Sequence, residues 1–233
     1  MTFNEDSRVK IPTILHLMRL GYKYQSLKGA NWDESTNIFT EIFNEKIQEL
    51  NPDLNEHEIE QYYKELSLTL ENEDLGRSFY EKLVERSDTR IIDFEDFENN
   101  DFRVVTELPC KKDDEEFRPD IILLINGMPL AFIEVKKPNN RDGILAEHKR
   151  IQTRFQNKKF RKFVNITQFR LTSAHVIPPT VFLLTFFRTP RHLLHKQHIV
   201  LEYAEGISQT VFHGIYHGKY RCNHKYTYHH PQQ

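Results

Sequence analysis

Cysteine is nearly absent from this chain of 233 residues, occurring only at Cys110 and Cys222. Two cysteines so far apart give no disulfide framework, so a reducing, intracellular setting is expected. Long apolar runs are missing too. The longest, Val181–Phe187, is interrupted by Thr185, and a membrane span needs about 18 apolar residues. The opening residues MTFNEDSRVK contain no apolar stretch of the signal-peptide kind. A cytoplasmic protein with no membrane partner is the expectation. No G-x-x-x-x-G-K-[ST] occurs anywhere, which excludes a P-loop nucleotide site in this sequence. Acidic residues also run out abruptly. Residues 1–140 hold 17 Lys and Arg against 30 Asp and Glu, residues 141–170 hold 9 against 2, and residues 171–233 hold 6 against 2. The net charge of −2 hides this reversal. A basic block beginning near residue 141 suits a polyanionic partner.

What is present reads as one α/β domain with a tail. ILHLMRLGYKY predicts a short helix ended by Gly21. Ile38, Phe39, Ile42, Phe43, Ile47 and Leu50 recur at helical spacing, with Asp33 or Ser35 as the cap and Asn51-Pro52 as the stop. Residues 55–70 and 76–85 predict two further helices. Residues 90–94 and 102–108 have strand character, separated by a turn at Glu98–Asp101. Lys111–Glu116 (KKDDEE) predicts a charged loop. Ile144–Phe163 predicts a basic helix, with Arg150, Arg154, Lys158, Lys159, Arg161 and Lys162 around a partial apolar stripe.

The centre of the sequence is RPDIILLINGMPLAFIEVKKPN, residues 118–139. Two apolar runs, Ile121–Ile125 and Leu130–Val135, flank Asn126-Gly127-Met128-Pro129, the pattern of two strands joined by a tight turn. Alternation along a strand puts Glu134 and Lys136 on one face and Ile133 and Val135 on the other. Pairing across the turn would bring Asp120 to the same spot. Two carboxylates suit Mg²⁺, which keeps several waters and is usually held by one or two carboxylates plus a substrate phosphate. Such an ion polarises a phosphodiester and stabilises the leaving oxygen. The amine of Lys136 would orient or activate the attacking water, or offset charge on the phosphate. The alternative is a capped turn and a solvated strand edge. The Pro before Asp120, the hairpin pattern and the acid–Val–Lys ending of an apolar strand favour the chemical reading.

This stretch resembles the PD-(D/E)-x-K nuclease motif. A longer set of residues resembles the N-terminal nuclease region of the R subunit of type I restriction enzymes. They are Gly76-Arg77-Ser78-Phe79-Tyr80, Ile92-Asp93-Phe94-Glu95, Asn99–Val105 and RPDIILLINGMPLAFIEVKKP, and the resemblance covers roughly residues 11 to 168. It implies a restriction-endonuclease-like α/β core with a mixed central sheet flanked by helices, over residues 1–170. It also implies a bacterial or archaeal Mg²⁺-dependent DNA endonuclease in which Asp120 and Glu134 bind metal and Lys136 serves the water. Double-stranded DNA and the methyltransferase and specificity subunits of a restriction complex are the implied partners. ATP would enter only through the full-length family protein's translocase, which this sequence does not contain. Lys137, Arg150, Arg154, Lys158 and Lys159 are the expected DNA contacts. Gln152 joins them, although the family's Gln-x-x-x-Tyr pattern fits imperfectly, with Phe155 three residues on. In related folds the first helix adds an acidic ligand, and Glu41 and Glu45 are the candidates.

The resemblance stops after Phe163–Gln168, which looks like the family's next strand. Residues 171–233 then form a basic, His-rich, atypical tail, as a truncated or frame-shifted gene or a divergent small domain would give. Cys222-x-His224 and His229-His230 lack the paired ligand clusters of a structural zinc site. Two other readings remain open: an inactive remnant serving only as a DNA-binding or subunit-interaction module, and a stand-alone nuclease of the same fold.

Overall fold

A computed structural model describes residues 6–84, 89–136, 146, 149–151, 153–154, 156–173, 197–204 and 207–213. A wide helical turn, Asp6–Lys10, leads into α1 (Ile11–Arg19), which has Pro12 in its first turn. Then come β1 (Lys23–Tyr24), α2 (Thr40–Leu50), α3 (Glu56–Thr69) and α4 (Arg77–Val84). β2 (Phe102–Thr106), β3 (Cys110–Lys112), β4 (Glu115–Phe117), β5 (Ile121–Ile125) and β6 (Met128–Val135) follow. α5 (Arg161–Ile166), β7 (Phe169–Ser173), β8 (Gln197–Ala204) and β9 (Ile207–His213) complete the described elements. The result is α/β with a mixed central sheet flanked by helices, as expected.

The sheet runs β1-β2-β5-β6-β7-β8-β9, and β3 and β4 form a separate two-stranded ribbon. β1 and β2 are parallel, β2, β5 and β6 are antiparallel neighbours, and β6, β7 and β8 are parallel. β9 closes the order antiparallel to β8. The sheet therefore continues past residue 170, through β7 and into residues 197–213.

Strand alternation sorts the apolar residues onto two faces. Val104, Ile121, Leu123, Ala131, Ile133 and Val135 pack with Val9, Leu17 and Tyr22 from the N-terminal helix region. Val105, Ile122, Leu124 and Phe132 pack on the other face with Phe39, Ile42, Ile151, Phe163 and Val164. Every residue of β5 and β6 is buried, as expected for strands covered on both faces.

The β5–β6 turn is the anchor of one end. Asn126 and Gly127 have φ of 50° and 78°, the Asn-Gly pairing that a two-residue hairpin favours. A Cβ on Gly127 would lie 2.6 Å from the Phe39 carbonyl oxygen and 2.9 Å from the Phe43 nitrogen, so only glycine lets the start of α2 sit this close. The fully buried Asn126 side chain accepts from Asp101 N–H at 2.8 Å and donates to Ile91 O at 2.8 Å and Asn100 Oδ1 at 2.9 Å. Asn100 and Asp101, from the Asn99–Val105 sequence pattern, thus help to clamp this turn. Pro129 lies at a bulge between Leu123 and Leu124, where a missing N–H is tolerated.

Several expectations are corrected. α2 starts at Thr40 rather than near Asp33, because the Asp33 carboxylate accepts from Ser35 N–H at 2.7 Å and from Tyr63 OH at 2.6 Å and closes a turn. Residues 90–94 are not a strand. The Asp93 carboxylate takes the Glu95 and Asp96 N–H groups and the Asn99 side-chain amide, so side chains satisfy this backbone in place of a sheet neighbour. KKDDEE is the tip of the β3–β4 ribbon rather than a loop. The basic helix does not run unbroken to Phe163. Asn157 breaks it by accepting from Lys159 N–H at 3.0 Å, and a 3₁₀ turn and α5 follow. Residues 163–166 are accordingly helical, and the next strand begins at Phe169.

Candidate active site

β5 and β6 set the geometry. Ile121 pairs with Ile133, so the next residues outward, Asp120 and Glu134, meet at the open end of the hairpin. The Val135 N–H donates to Asp120 Oδ2 at 2.8 Å. Asp120 is thereby fastened to the strand that carries Glu134. Glu134 is 5% exposed, and Lys136 Nζ lies 3.8 Å from its Oε2. Asp120, Glu134 and Lys136 therefore gather at one end of the sheet, on the face shared by Ile122 and Phe132. Burial strengthens the attraction between this carboxylate and ammonium, and makes either charge costly alone.

A fourth charged group abuts this end and was not anticipated from the sequence. Glu107, just past β2, donates its N–H to the Asp120 carbonyl at 3.3 Å. Its φ of 54° lies in the left-handed region. Its carboxylate pairs with Lys10, whose side chain is 9% exposed. Lys10 holds the Glu107 carboxyl below its usual range, with a smaller contribution from Arg118. This contact ties the N-terminal helix region to the strand end that bears Asp120. Its partners lie 97 residues apart, and no local pattern announces such a pair.

The candidate extra acids go elsewhere. The Phe39 N–H, at the start of α2, donates to Gly127 O at 3.0 Å. α2 thus begins at the turn end of the hairpin, opposite Asp120 and Glu134. Glu41 is exposed and accepts from Asn31 Nδ2 at 2.9 Å, and Glu45 is exposed on the same helix. The structure does not bring either to the carboxylate pair.

The basic residues divide in two. Lys158 and Arg161 share Glu73 at 3.3 and 2.7 Å. Lys159 meets Asp114 and Glu115, both at 2.8 Å, and Lys162 meets Glu71 at 3.0 Å. Lys158 and Lys159 are thus matched by carboxylates of the α3–α4 connection and the β3–β4 ribbon. Arg154 stacks over the Phe117 ring at 5.1 Å, and Arg150 is exposed. Ile151 between them is buried against the sheet face that carries Phe132. Lys137 and Gln152 lie outside the described residues, as do the Cys222–His230 cluster and much of the tail.

Among the described residues no three His, Cys, Asp or Glu side chains converge as a metal site. Asp120 and Glu134 offer hard carboxylate oxygens, a donor set that fits an ion completed by waters and substrate phosphate rather than an all-protein cage. No helix among the described residues is long and apolar enough to cross a membrane.

Fold and site together define an α/β domain that places two carboxylates and an amine at one end of a mixed sheet. Comparison with known proteins carries this further. The chain belongs to the family described as the type I restriction enzyme R protein N terminus, whose model matches residues 2–185. That match extends beyond residues 11–168, where the resemblance was legible. A Methanocaldococcus jannaschii protein named as a putative type I restriction enzyme MjaIXP endonuclease subunit is 30% identical over 162 residues. The match covers 59% of this chain and 16% of that protein. The type I restriction enzyme HindI endonuclease subunit of Haemophilus influenzae is 30% identical over 154 residues, covering 54% of this chain and 14% of that subunit. The matched region is thus between about a seventh and a sixth of the length of these relatives.

Proposed function

We propose that this domain hydrolyses DNA phosphodiester bonds with Mg²⁺, as the nuclease part of a type I restriction R subunit. The observation that carries the reading is the hairpin register, which sets Asp120 beside Glu134 with Lys136 Nζ at 3.8 Å from Glu134. Asp120 and Glu134 would hold the ion, which when bound supplies a Lewis acid for the phosphodiester. Lys136 orients the attacking water and brings positive charge to the phosphate as negative charge builds on it. The tie from Val135 N–H aims the Asp120 carboxylate, and burial of Glu134 keeps its oxygens from bulk water. Water's oxygen bonds to phosphorus as the bond to the leaving sugar oxygen breaks, and that oxygen ends protonated.

In this reading the longer family protein couples cleavage to ATP-driven translocation, alongside methyltransferase and specificity subunits in the bacterial or archaeal cytoplasm. Those partners and the ATP requirement belong to the same proposal. The test is nicking of supercoiled plasmid by the purified chain with Mg²⁺ or Mn²⁺. Metal-dependent nicking that Lys136→Ala abolishes supports the reading. A folded chain that neither nicks nor binds metal supports the inactive remnant instead.

A further inference from the structure

We infer that Arg170 belongs to this site as its phosphate-binding guanidinium, reaching in from the strand next to the hairpin. The inference rests on the nuclease reading of Asp120 and Glu134. β6 and β7 are parallel, with Phe132 opposite Arg170 and Glu134 opposite Thr172. Residues paired in adjacent strands stand on the same face. The packing agrees, because Phe169 lies with Ala131 against the α1 side of the sheet. Arg170 therefore rises on the other face with Phe132, whose ring contacts Phe163 at 6.1 Å. Glu134, two residues beyond Phe132, is on that same face. One strand spacing across and two residues along put the Arg170 and Glu134 backbones about 8 Å apart. An arginine side chain spans most of that gap.

The chemistry of the position is unusual for a strand that merely packs. Arg170 is partly buried, and that burial pulls its guanidinium down to about 9. At neutral pH it keeps its charge. Asp120 and Glu134 supply negative charge on this face, with Lys136 beside them. A divalent ion on the two carboxylates leaves a cationic pocket that a phosphate would neutralise. A guanidinium binds phosphate with two parallel N–H donors, which a lysine cannot reproduce. The ligand class is the phosphodiester of the DNA backbone. The basic segment with Ile151 and Arg154 packs over the same face, so the backbone would pass between it and the strand ends.

The test uses the full chain with Arg170→Gln and Arg170→Lys. Binding of a labelled DNA duplex is followed by fluorescence anisotropy over a range of salt concentrations, with Ca²⁺ in place of Mg²⁺. Folding is checked by circular dichroism. Loss of one phosphate contact lowers the slope of log affinity against log salt by about 1, and that is the result expected for folded Arg170→Gln. Arg170→Lys should keep the slope and lose at least tenfold in single-turnover nicking. A folded Arg170→Gln with unchanged slope overturns the proposal. If that variant does not fold, full nicking by Arg170→Lys overturns it. Absence of nicking by the parent would count against the nuclease reading, while the salt slope still decides the role of Arg170.

Discussion

The backbone N–H of Val135 donates to the carboxylate of Asp120 at 2.8 Å. One side chain thereby closes the open end of the hairpin onto the strand that carries Glu134. In the proposed nuclease reading a structural and a chemical role coincide at Asp120, and substitutions can separate them. Asp120→Asn keeps an oxygen that accepts from Val135 and should keep the fold while losing cleavage. Asp120→Ala should lose cleavage and also about 1 kcal/mol of stability. For a chain of this size that is a fall of about 2–4 °C in melting temperature. Thermal unfolding of the two variants side by side checks the difference.

Metal binding should stabilise the fold through Asp120 and Glu134. An ion at about one hundred times its dissociation constant adds about 2.7 kcal/mol. Mg²⁺ should therefore raise the melting temperature, and EDTA should reverse the rise. The shift should vanish in Glu134→Ala. A shift that survives in that variant would move the metal elsewhere.

Gly127 should tolerate no side chain. Its φ of 78° opposes alanine, and so does the 2.6 Å distance at which an added Cβ would meet the Phe39 carbonyl oxygen. Gly127→Ala should cost more than about 1 kcal/mol in urea unfolding. Because the turn lies at the far end of the hairpin, residual folded protein should keep its metal-dependent nicking.

Acid should weaken the domain through Asp93. Its carboxyl is held down to about 2, first by the Asn99 amide and then by the Asp96 and Glu95 N–H groups and Arg90. The ordinary value of such a carboxyl is 3.8. A group depressed by folding contributes fully above its unfolded value and loses that contribution as pH falls through its folded one. The loss should fall between about pH 4 and pH 2. Asp93→Asn should flatten the urea midpoint against pH across that window while lowering it at neutral pH.

The hairpin was legible because everything that defines it is local: apolar runs of strand length, Asn126-Gly127 at the turn, and alternation that puts Glu134 and Lys136 together. The helices at 56–69 and 77–84 were legible from periodicity in the same way. The errors arose where a side chain captured backbone that periodicity assigns to a regular element. Asp33 delayed α2, Asp93 replaced a strand at 90–94, and Asn157 broke the basic helix. Contacts between distant residues were not legible at all. Nothing in the sequence joins Lys10 to Glu107, or tells that Lys158 and Lys159 meet Glu73, Asp114 and Glu115. The placement of Glu41 and Glu45 failed for the same reason, since helical spacing fixes a face but not which end of the sheet the helix meets.

The central claim is that Asp120, Glu134 and Lys136 form a working nuclease site. Nicking of supercoiled plasmid with Mg²⁺, by the parent chain and by folded Lys136→Ala, tests it most directly. Metal-dependent nicking by the parent, with at least a hundredfold loss in the variant, is the predicted result. Equal nicking by both proteins would contradict the claim and place the activity, or a contaminant, outside the hairpin.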